Sequence, residues 1–230
     1  MTEVDVRQKV LAANAAAAQA LRAEFAASET LVLNLISSPG SGKTTLLEAT
    51  ARALKHRLRL GGLDGDIATE RDAERLRQAG IPARQILTGG SCHLDARQIE
   101  KALAEEGSRL RDLDVLFIEN VGNLICPTSY DLGEDFKVAL LSVVEGDDKP
   151  FKYPGIFSRA AVTVITKADL LPHVDFDLTA VAGEIAALNP SARFLVVSAR
   201  SGEGMDEWFA LLDAKLSRKR AAGGAAACAV

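Results

Sequence analysis

Hydrophobic and polar positions divide the chain into a long helical opening and a series of alternating elements. Residues 2–28 are rich in Ala, Arg, Glu and Gln, and Val6, Val10, Leu11, Ala18, Leu21 and Phe25 recur at roughly helical spacing. One amphipathic N-terminal helix is therefore predicted over residues 1–30, able to pack on the following domain or to mediate association. Beyond it, short apolar runs predict strands at Leu31–Ile36, Leu58–Leu63, Arg84–Leu87, Val115–Glu119, Val138–Val144, Ala161–Thr166 and Phe194–Ser198. Helical patterns fall between and after them at Lys43–Lys55, Ala68–Ala79, Leu94–Glu106, Leu178–Ala187 and Met205–Lys215. Several of the strand runs are apolar on successive residues, as in parallel strands covered on both faces. The alternation predicts an α/β, doubly wound, mostly parallel sheet over residues 31–218, with ligands at the carboxyl ends of its strands. Residues 219–230 are biased to Ala and Gly and read as a disordered tail in which Cys228 is incidental.

Composition narrows this picture modestly. The 230 residues fit one large domain, and 48% hydrophobic with 25% charged residues is ordinary for a globular chain. A net charge of −4 lacks the basic footprint of general nucleic-acid binding. The opening MTEVDVRQKV has no cationic-then-apolar design, and no apolar stretch reaches the length of a membrane span. Three cysteines do not form a disulfide framework, so a cytoplasmic domain with reduced thiols is expected.

The candidate chemistry starts at Leu31–Thr45, LVLNLISSPGSGKTT, where a buried-looking strand runs through a glycine-rich turn into a helix. That layout is a phosphate-binding loop. Gly40, Ser41 and Gly42 would turn backbone N–H groups inward, Lys43 would meet the β/γ-phosphates, Thr44 would hold Mg²⁺, and Thr45 continues the cradle. Ser37 occupies the place of the usual first glycine. Glu119 ends a strand and is followed by Gly122, whose N–H could swing toward the γ-phosphate; Asp66, with Thr69 and Asp72 after it, could also reach the metal. Lys43, Thr44, Asp66, Glu119 and Gly122 thus form the expected catalytic set, with Thr44, Asp66 and Glu119 toward Mg²⁺.

Thr166-Lys167-Ala168-Asp169 resembles the N-K-x-D motif of GTPases. Asp169 would accept from the guanine N1–H and amine, which adenine does not offer, and the Lys167 stem would cover the base. Thr166 stands where Asn is usual; Ser198-Ala199-Arg200 resembles the loop whose backbone meets the guanine oxygen. GTP is favoured over ATP. Cys92, His93 and Cys126 lie on loops near the same end of the fold and suit Zn²⁺, Ni²⁺ or Cu⁺, with a fourth ligand from water or a second subunit.

The segments SSPGSGKTTLL, GDIATERDAERL, SCHLDA, FIENVGNLICP, EGDDKPFKYP, TKADLLP and SARSGEGMDEW together resemble the HypB family, GTPases that assist nickel insertion into nickel–iron hydrogenases, from about Leu31 to Trp208. The resemblance implies a phosphate-loop GTPase of the signal-recognition/MinD (SIMIBI) class that forms a homodimer on GTP binding. It also implies a Ni²⁺ or Zn²⁺ site at the dimer interface with ligands at Cys92, His93 and Cys126. The implied partners are a nickel-delivering, HypA-like accessory protein and the hydrogenase large subunit, with no nucleic acid and no membrane. In place of the lysine that many of the class carry in the phosphate loop, where this chain has Ser38, the resemblance points to Lys149 or Lys152, with Lys152 the better match. Residues 1–30 contain neither Cys nor His, so the additional N-terminal metal motifs of some relatives have no counterpart there. With no arginine finger or water-positioning glutamine evident, slow hydrolysis is expected. The urease-type UreG proteins are the nearest alternative, but they usually place a proline between Cys and His, whereas Cys92 and His93 are adjacent. A metal-binding module with incidental nucleotide binding is the other.

Overall fold

In the computed structural model, which describes residues 3–66, 70–110 and 112–227, the alternating pattern becomes one seven-stranded sheet wrapped on both faces. The strands are β1 (Leu31–Ser37), β2 (Leu60–Asp66), β3 (Ala83–Leu87), β4 (Val115–Glu119), β5 (Phe136–Ser142), β6 (Val162–Thr166) and β7 (Arg193–Val196). They lie in the order β3-β2-β4-β1-β5-β6-β7, and every pairing is parallel. β1 is central, and all seven of its residues are buried, as its unbroken apolar run requires. The order reverses beside it, because β4 flanks it on one side and β5 on the other, which opens a crevice at the carboxyl end of β1.

The helices are α1 (Glu3–Ala27), α2 (Lys43–Leu54), α3 (Arg71–Gln78), α4 (Ala96–Glu106), α5 (Lys149–Lys152), α6 (Pro154–Arg159), α7 (Leu178–Leu188) and α8 (Met205–Ala227). One face of the sheet packs against Leu46, Leu47 and Leu54 of α2 and Trp208, Leu212 and Leu216 of α8. The fully buried Trp208 satisfies its indole N–H on the Thr50 hydroxyl at 2.9 Å. The other face carries α1 with α4, and α6 with α7. Within α1, Ala18, Leu21 and Phe25 are buried and Leu11 is exposed; the side chains of Val6 and Val10 lie outside the described residues. Asn14 of α1 accepts from the Ala96 N–H at the start of α4 and donates to the Asp131 carbonyl, both at 2.8 Å. The N-terminal helix is thus locked onto the domain.

Some boundaries move, for tertiary reasons. β2 begins later than expected and runs on through Asp64 and Asp66, since pairing with both β3 and β4 holds this polar stretch extended. β5 starts at Phe136, earlier than its apolar run suggests, because Leu33 and Asn34 of β1 pair with Phe136 and Lys137. The α4 boundary shifts to Ala96 because Asp95 and Gln98 form a capping box. The short helices α5 and α6 were not evident from periodicity, although both have Pro in the first turn. α8 continues to Ala227, past the boundary at residue 218 and into the stretch read as a tail. Its extra turns are tied down by Lys219 to Asp135 and by Arg220 to Asp114, both pairs at 2.6 Å. Cys228 and Thr69 lie outside the described residues.

Candidate nucleotide and metal site

The crevice beside β1 holds the phosphate loop. Gly42, with φ of 93°, supplies the left-handed turn that starts α2 at Lys43, so the open first turn of that helix faces the crevice. Ser37, at the place of the usual glycine, accepts from the Lys43 ammonium at 2.9 Å and keeps this buried cation satisfied. Thr44 Oγ1 donates to Glu119 Oε1 at 2.9 Å, joining the loop to the tip of β4. Ser41 Oγ reaches Glu145 Oε1 at 2.5 Å. A cavity of about 470 Å³ opens here, lined by Gly40, Lys43, Thr44, Thr45, Asp66 and Gly122 among others. Gly122 is pressed against the loop: a Cβ on it would lie 2.7 Å from Pro39 Cγ and 2.9 Å from the Pro39 nitrogen.

Two acids share the floor. The β2–β4 register puts Asp64 beside Glu119, and both are nearly inaccessible to solvent. Asp64 Oδ2 and Glu119 Oε2 have no hydrogen-bond partner among the described residues. Burial pushes Asp64 up to about 7, helped by Asp72 and Asp66. Burial pushes Glu119 up to about 8, although Lys43 pulls the other way. Two orphaned buried oxygens beside a threonine hydroxyl are a donor set that fits a hard divalent cation such as Mg²⁺. Asp64 was missed in the sequence; the signal was an acid two residues before Asp66, hence on the same side of the strand. Arg75, which also lines this cavity, was missed too.

A second cavity of about 220 Å³ adjoins the first through Gly42, Thr45 and Lys167. Lys167 sits in the left-handed region at φ 60°, and its ammonium donates to the Gly40 carbonyl at 2.8 Å. Thr166 Oγ1 donates to the Ser41 carbonyl at 2.6 Å, so the residue in place of Asn still braces the phosphate loop. Ser198 Oγ donates to Asp169 Oδ1 at 2.6 Å, and Ala199 lines the same cavity. The cavity has an acid on one wall and a lysine stem on another, the layout that a guanine needs.

Cys92, His93 and Cys126 converge, with their ligand atoms all within 4.8 Å of one another and Cys92 Sγ 3.6 Å from His93 Nδ1. Ligand atoms around a tetrahedral metal stand about 3.5 Å apart, so the cluster needs only a small contraction to close. The Cys126 sulfur beside it, and burial, push the Cys92 thiol up. Burial lowers the His93 imidazole, which favours the neutral, metal-binding form. The His93 ring lies against Tyr130 with centroids 3.8 Å apart. Lys152, by contrast, is on α5, exposed and ion-paired with Asp148, and lines neither cavity of its own chain.

A parallel sheet with a phosphate loop at its switch point and a base cavity beside it defines a phosphate-loop nucleotide-binding protein. Residues 12–196 match the family model of the CobW/HypB/UreG nucleotide-binding domain. Hydrogenase maturation factor HypB of Azotobacter vinelandii is 51% identical over 210 residues, covering 90% of this chain and 68% of that protein. HypB of Escherichia coli K12 is 49% identical, covering 93% and 72%. The chain belongs to the HypB family of hydrogenase maturation factors. Among solved structures, HypB from Helicobacter pylori in complex with nickel superimposes with TM-score 0.82 at 40% identity, covering 90% of this chain and 95% of that one. HypB from Archaeoglobus fulgidus gives TM-score 0.83 at 39% identity, covering 90% and 100%. The signal recognition particle 54 kDa protein of Aeropyrum pernix, at 16% identity and TM-score 0.55 over 83% of this chain and 49% of that one, has the same fold.

Proposed function

We propose that this chain is a GTP-binding and slowly GTP-hydrolysing metallochaperone that assists nickel insertion into a nickel–iron hydrogenase. The observation that carries the reading is that one short segment serves both sites. Gly122 abuts the phosphate loop, Asn123 Nδ2 lies 3.4 Å from the Cys92 carbonyl, and Cys126 follows four residues after Gly122. A loop that answers to the γ-phosphate therefore carries a metal ligand with it. HypB from Helicobacter pylori, crystallised with nickel, supports nickel as the cargo.

Under this reading the backbone of Gly40–Gly42, with Lys43, Thr44 and Thr45, cradles the phosphates, while Asp169, Lys167, Ser198 and Ala199 select guanine. Thr44, Asp66 and Glu119, joined by Asp64, would hold Mg²⁺, which when bound offsets charge on the phosphate oxygens. The chain's own work is to hold these oxygens in a dry, preformed floor and to aim the Gly122 N–H at the γ-phosphate. Ni²⁺, with Zn²⁺ as the competing ion, would be carried as cargo by Cys92, His93 and Cys126, the fourth position taken by water or by a second subunit. The GTP state would be a homodimer, with Lys152 reaching toward the partner subunit's nucleotide. The flow of nickel would run from a HypA-like protein to the hydrogenase large subunit in the cytoplasm. Among the described residues no helix is long and apolar enough to cross a membrane.

Size-exclusion chromatography with metal analysis, run with GDP and with a non-hydrolysable GTP analogue, tests the reading. The expected result is a dimer with the analogue and a nickel affinity that differs at least about tenfold between the two forms, which takes only ~1.4 kcal/mol of coupling. Equal affinities in both states would sink the coupling.

A further inference from the structure

Arg75 projects from α3 into the phosphate cavity without being used by the reading above. Its Nε and Nη2 donate to the two carboxylate oxygens of Glu48 at 2.9 Å each, and its Nη1 donates to Asp72 at 3.1 Å. Nη2 also reaches the Thr45 hydroxyl at 3.1 Å. The guanidinium thus straddles two settings: Glu48 lies outside the cavity, whereas Thr45 and Asp72 line it. The cavity is otherwise rich in acid, with Asp64, Asp66, Asp72 and Glu119 facing Lys43 and Lys167, and Lys167 is engaged at the base side. A triphosphate entering this cavity meets more carboxylates than free cations. An arginine fork matches phosphate oxygens better than it matches a single carboxylate edge, so the triphosphate competes with Asp72 for Nη1.

We propose that Arg75 is a phosphate-directed arginine supplied by the chain itself, held by Glu48 and Asp72 until GTP binds and then turned onto the β/γ-phosphate oxygens. The proposal rests on the GTP-hydrolysis reading. In that reaction the water oxygen bonds to the γ-phosphorus as the bond to the β–γ bridging oxygen breaks. The bridging oxygen leaves with the electron pair as part of GDP, and the water proton ends on the released phosphate. Arg75 meets the negative charge that builds on the bridging and β-oxygens, as an arginine finger does.

The test uses the full chain. Wild type is assayed first for phosphate release, and failure to hydrolyse GTP would overturn the hydrolysis reading before any variant is made, taking this proposal with it. With wild type active, Arg75→Ala is expected to lower kcat at least about tenfold and to abolish the GDP–aluminium fluoride complex, while GDP affinity stays within about threefold. Arg75→Lys keeps the stem and the charge, so it serves if the alanine variant is unstable, and it should fall in the same direction by less. Glu48→Gln releases the guanidinium and should leave kcat at or above the wild-type value. If Arg75 only ties α3 to α2, then Glu48→Gln and Arg75→Ala lower the rate together and the aluminium fluoride complex survives in both. Either of those results overturns the proposal.

Discussion

Asp169 shows how much one side chain decides. Its Oδ1 is taken by the Ser198 hydroxyl at 2.6 Å, which orients the carboxylate in the base cavity. Asp169→Asn exchanges an acceptor for a donor, and xanthine nucleotides are expected to gain over guanine nucleotides by at least about tenfold, given ~1.5 kcal/mol or more for a hydrogen bond to a charged group. Competition with fluorescent GDP and XDP checks this; unchanged guanine preference removes Asp169 from its role. Gly122→Ala is the second residue test. A Cβ there would meet the Pro39 backbone nitrogen at 2.9 Å, so the loop after β4 must withdraw from the phosphate loop. GTP affinity should fall about tenfold, or ~1.4 kcal/mol, with far-UV circular dichroism unchanged. Lys43, Thr44 and Asp169 were legible in the sequence because their meaning is set by near neighbours. Asp64 and Arg75 were not: Asp64 matters because strand register puts it beside Glu119, and Arg75 because α3 packs on α2.

At the scale of elements, α1 supports the metal segment from behind. Asn14 satisfies the Ala96 N–H at the start of α4 and so steadies the turn that carries Cys92 and His93. Asn14→Ala leaves that buried donor without its partner and should cost about 1–3 kcal/mol in chemical denaturation. Nickel binding should weaken in the same variant; a stable protein with unaltered metal affinity would separate α1 from the site. The helical periodicity of residues 2–28 announced α1 but could not say which surface it covers. Asn14 decides that, and a single polar residue in an alanine-rich helix carries no such message by itself. The late start of β2 has the same origin, since L-G-G-L-D-G-D is a poor strand alone and extends only because strands flank it on both sides.

Taken whole, the unliganded molecule stores unfavourable charge at its active crevice. Asp64 and Glu119 have native pKa values of about 7 and about 8, above the ~4 of the unfolded chain. Between those limits the native state binds more protons than the unfolded state, so these two groups make stability fall as pH rises toward 8. Asp64→Asn should flatten the Tm profile between pH 5.5 and 8.5 by a few degrees, because ~1 kcal/mol moves Tm by about 2–4 °C at this size. Saturating Mg²⁺ and GDP should flatten the wild-type profile as well. A variant profile parallel to the wild type would show that the carboxylate is compensated elsewhere.

The sequence by itself determined the parallel sheet, the phosphate loop, the guanine-type loop and the three soft ligand residues, because each is written in short-range spacing and side-chain chemistry. Only the tertiary structure decided what meets what. It brought Cys126 to Cys92 and His93, set Asp64 against Glu119, aimed Arg75 into the phosphate cavity and carried α8 on to Ala227. These are long-range contacts, made by strand pairing and by helices packed across a sheet, and no local pattern encodes them.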